Sequence, residues 1–397
     1  MKLNLGEPTC LIHEGSDCEL PDRTPSPPVQ RGSTVLLKTC ADAYDASKVS
    51  YGRSGLATHG ILRDALCHLE HAEEAFLYPS GLAAITGVLS ALLSAGDDVL
   101  ACDTVYKPTR AYLNGTMTRF GVTTRYFDAR ADVQTIRSMI RPETKVIVLE
   151  SPGSLTFEMV DIPAIAALAR ELGILTVVDN TWSAGVLFKP LDHGVDVSIQ
   201  SLTKYVCGHS DVFMGLAAVR GRAVELLAKS HYETGWAVSP DDAYMALRGL
   251  RTLHTRLRQH GEAALDVAQW LKTRPEVATV MCPALPDDPG HSVWKRDFSG
   301  LCGLIGVVLR PVSEAAVTRM VEKLSLFGLG YSWGGYESLV IPSDPQIRLR
   351  DRNRDYPGPV LRLHIGLEVV GDLIADLQQA LGTLDCEIDP TLGRCEA

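Results

Sequence analysis

From about residue 60 to residue 220 short apolar strands alternate with helical segments, and this alternation limits the chain to very few architectures. Strands are expected at Asp98–Cys102, Val122–Phe127, Lys145–Glu150, Thr176–Asp179, Val195–Ser201 and Gly215–Val219. Helical spacing separates several of them. Leu62–Ala72 places Leu62, Leu66 and Leu69 on one face, Leu82–Leu93 is almost wholly apolar, and Val133–Ile140 and Ile162–Leu172 follow. Continuous apolar strands joined through helices pair in parallel and are covered on both faces. The expected class is therefore α/β with a mostly parallel sheet, and such sheets bind ligands beyond the carboxyl ends of their strands.

The flanking regions read differently. Residues 1–60 form an arm in which Pro21, Pro25, Pro27 and Pro28 oppose regular structure, with a short strand expected at Arg31–Leu37. A helical stretch from Asp241 to about His260 closes a large domain, 61–260. Beyond it come a helix to Lys272 and strands at Val277–Val280, Gly303–Leu309 and Leu361–Ile365. Helices at Ser313–Leu326 and Gly371–Leu381 complete a smaller C-terminal α+β domain, 261–397. A length of 397 residues accommodates this division.

Composition excludes several functions. A net charge of −10 argues against nucleic acid or an anionic membrane as the main partner. No run is long enough to span a bilayer, and Met1–Leu20 carries acids without an apolar h-region, so neither a membrane protein nor a signal peptide is expected. The ten cysteines are scattered without a CxxC pair, and Cys67, Cys102 and Cys302 lie in apolar segments. This usage fits a reducing cytoplasm without a disulfide framework. The histidines lack metal-ligand spacing, no HExxH or GxSxG occurs, and no metal site is expected. His209 reads as a hydrogen-bonded structural residue.

The chemistry concentrates at strand ends. The strand through Val197 and Ile199 runs into Ser201-Leu202-Thr203-Lys204, which puts one amine at its carboxyl end. An unpaired ammonium is expensive to bury, and a lysine at such a point is ordinarily one that snorkels to water. It is well placed if the amine is consumed chemically, as a Schiff base to a cofactor aldehyde, with Ser201 and Thr203 offering hydroxyls to the cofactor's phosphate. Asp179 ends another strand, where it caps a turn or holds a pyridine nitrogen protonated. Tyr106 follows a third strand and packs under the sheet edge or stacks on a cofactor ring. Ser80-Gly81-Leu82 opens an apolar helix whose N–H groups form a seat for an anion. Tyr51-Gly52-Arg53 presents a phenol and a guanidinium from a loop. Arg362, alone among apolar residues, suits either an ion pair or bidentate capture of a carboxylate. The glycine-rich Gly328–Gly335 lacks the GxGxxG spacing of a dinucleotide loop.

In their order along the chain, Tyr51-Gly52-Arg53, Ser80-Gly81, Asp179-Asn180-Thr181-Trp182, Ser201-Leu202-Thr203-Lys204-Tyr205 and Arg362-Leu363-His364 resemble the transsulfuration family of Cys/Met metabolism enzymes. The resemblance covers nearly the whole chain. It implies pyridoxal 5'-phosphate and the aspartate-aminotransferase-like fold type I, with a central, mostly parallel seven-stranded sheet. It also implies roles: Lys204 as the Schiff-base and catalytic lysine, Asp179 on the pyridinium, and Tyr106 stacked on the ring as a second catalytic residue. Ser80, Gly81, Leu82, Ser201 and Thr203 would hold the phosphate, and Ser332, Trp333 and Arg362 the substrate carboxylate. Tyr51 and Arg53 would reach the phosphate in a neighbouring subunit, making a homo-oligomer, a dimer of dimers. Ser332-Trp333-Gly334-Gly335-Tyr336-Glu337-Ser338 and Glu150-Ser151-Pro152-Gly153-Ser154 are similar to the cystathionine β-lyase branch. That branch implies β-elimination of L-cystathionine, an amino-acid substrate, to homocysteine, pyruvate and ammonia. Two departures stand out: Ser54 where related bacterial enzymes tend to carry a second arginine, and Lys107-Pro108-Thr109-Arg110-Ala111 where they tend to carry an acid. These favour, as the alternative, a lyase for another S-substituted cysteine (an S-alkyl cysteine, a cysteine conjugate or a thiocysteine). A γ-acting member or a non-catalytic binding protein ranks behind both.

Overall fold

The computed structural model describes residues 5–15, 24–45, 47–351 and 356–384. Pro21 and the cysteines at 18, 386 and 395 lie outside these residues. Strands β1 (Glu74–Tyr78), β2 (Asp98–Cys102), β3 (Thr123–Phe127), β4 (Thr144–Glu150), β5 (Leu175–Asp179), β6 (Val197–Ser201) and β7 (Gly215–Val219) form one sheet. Its order is β1-β7-β6-β5-β4-β2-β3, parallel except at β7, which runs against both β1 and β6. Strands β2 and β7 are buried at every position, as apolar runs covered on both faces should be.

The helices preceding and covering this sheet are α1 (Glu7–His13), α2 (Ala57–Glu70), α3 (Gly81–Leu92), α4 (Lys107–Tyr112), α5 (Val133–Met139), α6 (Ile162–Glu171), α7 (Val224–Thr234) and α8 (Pro240–Leu250). Helix α9 (Leu253–Leu271) leads to a second sheet of β8 (Val277–Met281), β9 (Leu304–Leu309), β10 (Gly328–Leu329), β11 (Leu339–Pro342) and β12 (Val360–His364), in the order β10-β11-β12-β9-β8. Helices α10 (His291–Asp297), α11 (Glu314–Lys323), α12 (Asp344–Ile347) and α13 (Val370–Leu381) belong to this C-terminal half. Local caps start several helices where the sequence supplies an oxygen: Asp132, Asp161 and Ser313 accept from the N–H three residues on.

Three readings need correction. The seventh strand is β1, which the pattern missed because Glu74, Ala75 and Leu77 favour helix. Pairing with β7 in register from Glu74↔Val219 to Tyr78↔Gly215 overrides that preference. The strand expected at Arg31–Leu37 is a single bridge, Thr34↔Tyr51, and the arm holds a helix, α1. The helical stretch expected to end near His260 instead breaks after Leu250, and α9 then runs unbroken from Leu253 to Leu271. Gly261 in its middle is a packing glycine, since a Cβ there would lie 2.1 Å from the Leu301 carbonyl oxygen.

Candidate active site

The carboxyl ends of β4, β5 and β6, the start of α3, strand β12 and the Tyr331–Trp333 loop surround a cavity of about 270 Å³. Ser80, Gly81, Leu82, Tyr106 and Asp179 line it from the first half of the chain. Ser201, Thr203 and Lys204 line it from the end of β6, and Ser332, Trp333 and Arg362 from the C-terminal half.

Strand β6 stops at Ser201 because the chain turns: the Lys204 N–H donates to the Ser201 carbonyl at 3.1 Å. The Lys204 ammonium then projects into the cavity, where Nζ donates to Ser332 Oγ at 2.6 Å and lies 5.3 Å from the centre of the Trp333 ring. Burial lowers its pKa to about 8, Arg362 adds to the effect and Asp179 opposes it. About one lysine in ten is then neutral at pH 7, against roughly one in a few thousand for a free side chain. Ser332 sits in the left-handed region at φ 77°, a conformation that costs a non-glycine residue of the order of 1 kcal/mol. In that conformation its hydroxyl accepts from the Lys204 amine.

Asp179 ends β5. Its Oδ1 accepts from the Thr181 N–H at 3.1 Å and from the Thr181 hydroxyl at 2.6 Å, while Thr181 Oγ1 accepts from the Ser201 N–H at 2.9 Å. Thr181 therefore ties the acid to the strand that carries the lysine. Burial raises the Asp179 pKa, and Thr181 and Lys204 pull it back. Glu150, to which sequence reasoning gave no role, pairs in register with Asp179 across β4 and β5 and accepts from the Tyr106 N–H at 2.6 Å. Burial, and the Asp179 charge after it, push its pKa well up. Its importance depends on strand register, which no local motif reports. Tyr106 itself is 43% exposed and starts α4.

At the start of α3, Ser80 Oγ accepts from the Ala83 N–H at 3.1 Å. The Gly81 and Leu82 N–H groups have no acceptor within their own helix. A Cβ on Gly81 would lie 2.5 Å from the Ser201 Cβ, so only glycine lets the helix start approach β6 this closely. Gly81→Ala should weaken cofactor binding by at least about tenfold, measured by titrating cofactor-free protein, because the backbone cradle must open. The Thr203 hydroxyl is already engaged: it donates to the Met214 carbonyl at 3.2 Å and accepts from the Met214 N–H at 3.0 Å.

Arg362 is 5% exposed on β12. Its Nη2 donates to the Ser332 carbonyl at 2.8 Å and to that of Gly330 at 3.3 Å, while its buried Nε has no partner. Burial lowers its pKa to about 10, so it stays protonated at neutral pH. A buried guanidinium with an unused donor, in a cavity with a lysine and a carboxylate, is suited to an incoming anion.

Tyr51 and Arg53 do not line this cavity. Arg53 lies 5.7 Å from the Tyr51 ring centre and 5.8 Å from that of Tyr232, beside a separate pocket that includes Trp236. Arg110, in the loop whose departure favoured another S-substituted cysteine, is also absent from the cavity's lining. Its buried guanidinium pairs with Asp103 and stacks 3.7 Å from the Tyr126 ring centre. His209 is held through Nδ1 by the Cys207 carbonyl at 2.7 Å. Among the described residues, seven cysteines carry free thiols, no group of side chains could hold a metal ion, and no helix is long and apolar enough to cross a membrane.

The residues present fit pyridoxal phosphate. The cradle that a Cβ on Gly81 would fill suits a phosphate, Asp179 suits a protonated ring nitrogen, and Lys204 suits an aldehyde carbon. The comparisons agree. The sequence profile described as Cys/Met metabolism PLP-dependent enzyme matches residues 8–382. Cystathionine beta-lyase MetC of Escherichia coli (strain K12) is 43% identical over 361 residues, 88% of this chain and 91% of that relative. Cystathionine gamma-lyase of Homo sapiens is 35% identical, over 94% of this chain and 93% of that one. The crystal structure of metB from Corynebacterium glutamicum superposes with a TM-score of 0.90 at 30% identity, covering 96% of this chain and 99% of the other. The chain belongs to the Cys/Met metabolism PLP-dependent enzymes.

Proposed function

We propose that this enzyme is a carbon–sulfur β-lyase that converts L-cystathionine to homocysteine, pyruvate and ammonia. The observation that carries the reading is the Lys204 amine, 2.6 Å from Ser332 Oγ, in one cavity with Asp179 and Arg362. Bound there, pyridoxal phosphate supplies an aldehyde for the substrate's amine and a ring that draws electrons from Cα. Asp179 keeps a positive charge on that ring's nitrogen. Arg362 takes the substrate's α-carboxylate and so fixes the face from which Cα–H is presented. Neutral Lys204 removes the Cα proton, and Ser332 holds Nζ in place while it does so. The Cβ–S bond breaks, Lys204 returns a proton toward the leaving thiolate, and the three-carbon remainder ends, after hydrolysis, as pyruvate and ammonia.

The same cavity serves any S-substituted cysteine at its reacting end, so the leaving group is what needs testing. Arg110, which favoured the alternative substrates, is turned into a buried ion pair and no longer supports them. The resemblance to cystathionine beta-lyases at about 43% identity favours cystathionine. The test is a panel of cystathionine and a small S-alkyl cysteine, scored for pyruvate, thiol and 2-oxobutyrate. Cystathionine should give pyruvate with the larger kcat/KM; the reverse order would favour the alternative, and 2-oxobutyrate would mark a γ-acting enzyme. Arg362→Lys, which keeps the charge and loses the fork, should lower kcat/KM by about 10²-fold, mostly through KM.

Tyr51 and Arg53 are assigned to a neighbouring subunit's cavity, which makes the working unit a dimer and the full assembly a dimer of dimers. Their surface position away from their own chain's cavity supports this. The division into an arm (1–60), a cofactor-binding domain (61–260) and a C-terminal domain (261–397) is kept as a proposal resting on the two sheets, its second boundary falling within α9; a cytoplasmic location is likewise kept as a proposal.

A further inference from the structure

We propose that Arg256 is a positioning residue for Lys204, its guanidinium holding the turn that carries the reactive amine. The proposal rests on the role assigned to Lys204 above. After Lys204 the backbone closes on itself: the Cys207 N–H donates to the Leu202 carbonyl and the Gly208 N–H to the Lys204 carbonyl, both at 2.8 Å. The carbonyls of Tyr205 and Val206 are taken instead by Arg256, through Nη1 at 2.6 Å and Nη2 at 3.1 Å. The same Nη2 donates to the Gly249 carbonyl at 2.8 Å, and Nε donates to Thr252 Oγ1 at 3.1 Å. One planar fork thus fastens the lysine turn to the corner between α8 and α9. All four acceptors are neutral. Burying a guanidinium against carbonyls and a hydroxyl alone is costly, which points to a demand for geometry that a lesser donor would not meet.

The surroundings leave the turn little other freedom. A Cβ on Gly249 would lie 2.3 Å from the Val206 carbonyl oxygen, and one on Gly208 (φ 71°) would lie 2.0 Å from Arg256 Nη1. Gly334, at φ 85°, also packs on the turn: a Cβ there would lie 2.9 Å from the Lys204 carbonyl carbon. The Gly334 N–H is itself held by His364 Nε2 at 3.0 Å. Backbone packed this closely at Gly249, Gly208 and Gly334 surrounds the turn, and Arg256 supplies the side-chain donors that hold its Tyr205 and Val206 carbonyls. The amine faces Asp179 from β5, Arg362 and His364 from β12, and Ser332 and Trp333 from the neighbouring loop. If the turn loosens, Nζ gains water and loses its fixed contact with Ser332, and its pKa moves back from about 8 toward the ordinary value of 10.5.

The test uses the full chain carrying Arg256→Gln, Arg256→Lys or Thr252→Val. In cofactor-free protein, acetic anhydride labelling of Lys204 across pH, read by peptide mass spectrometry, gives the midpoint of the amine. In loaded enzyme, kcat and KM for cystathionine are measured separately. Arg256→Gln should raise the midpoint by at least about one unit and lower kcat by about 10²-fold with KM changed less than about threefold. Arg256→Lys should recover part of both. Thr252→Val, which releases one edge of the fork and the Thr252 hydroxyl's own bond to the Gly249 carbonyl, should move both the same way by less. An unchanged midpoint and kcat in folded Arg256→Gln, or in Thr252→Val if Arg256→Gln does not fold, overturns the proposal. Full activity in Lys204→Ala would instead overturn the assignment on which it rests.

Discussion

Lys204→Ala should leave a folded protein that lacks the visible absorption of lysine-bound cofactor and releases pyruvate from cystathionine at least about 10⁴-fold more slowly. Two losses combine in this one substitution. The side chain is the only amine lining the cavity among the described residues, so no neighbour can take over attachment. It is also the group from which the Cα proton transfer is argued, and its depressed pKa near 8 is what keeps a usable neutral fraction at neutral pH. Labelling of the amine in cofactor-free wild-type protein should accordingly show a midpoint near 8 instead of near 10.5. Undiminished pyruvate release from the variant, checked with a coupled dehydrogenase assay, would remove Lys204 from the mechanism.

Asp179→Asn should cut kcat by about 10²- to 10³-fold while leaving cofactor bound, because asparagine keeps an acceptor for Thr181 but cannot hold a proton on the ring nitrogen. The same change should raise the thermal stability of the cofactor-free protein. Burial raises the Asp179 pKa above its unfolded value, so ionising the folded carboxyl is penalised. That penalty is absent below the unfolded pKa and grows as pH rises toward and through the raised folded value. Asparagine carries no charge and escapes it. Calorimetry of the cofactor-free pair checks the sign: a variant melting below the parent at pH 7 would contradict this account of the site's electrostatics.

Legibility in the sequence followed what is local. The strands ending at Cys102, Glu150, Asp179 and Ser201 were readable because each is an apolar or alternating run that gives way to polar residues, and residues just past those ends line the cavity. Lys204, Asp179 and Arg362 were each ambiguous alone and persuasive in order. What escaped depends on partners far along the chain. Glu150 matters because parallel pairing sets it beside Asp179. Arg256 matters because α9 brings it to carbonyls about fifty residues earlier, a relation set by tertiary packing. Arg110 misled in the opposite sense: its place after Tyr106 suggested the pocket, yet α4 directs it to Asp103 and Tyr126. The strand β1 was hidden by residues that favour helix in isolation and are committed to extended structure only by β7.

Helix α9 has a practical consequence for anyone building chimeras. Its 19 residues make a rod about 28 Å long. Its first turns carry Arg256, and its later turns bury Val267, Ala268 and Leu271 in the core. A splice at residue 260 would put two parental sequences inside one rod, with one end gripping the lysine turn and the other docking a foreign sheet. Grafts meant to exchange specificity should be joined after Leu271, where the chain leaves the helix before β8 begins at Val277.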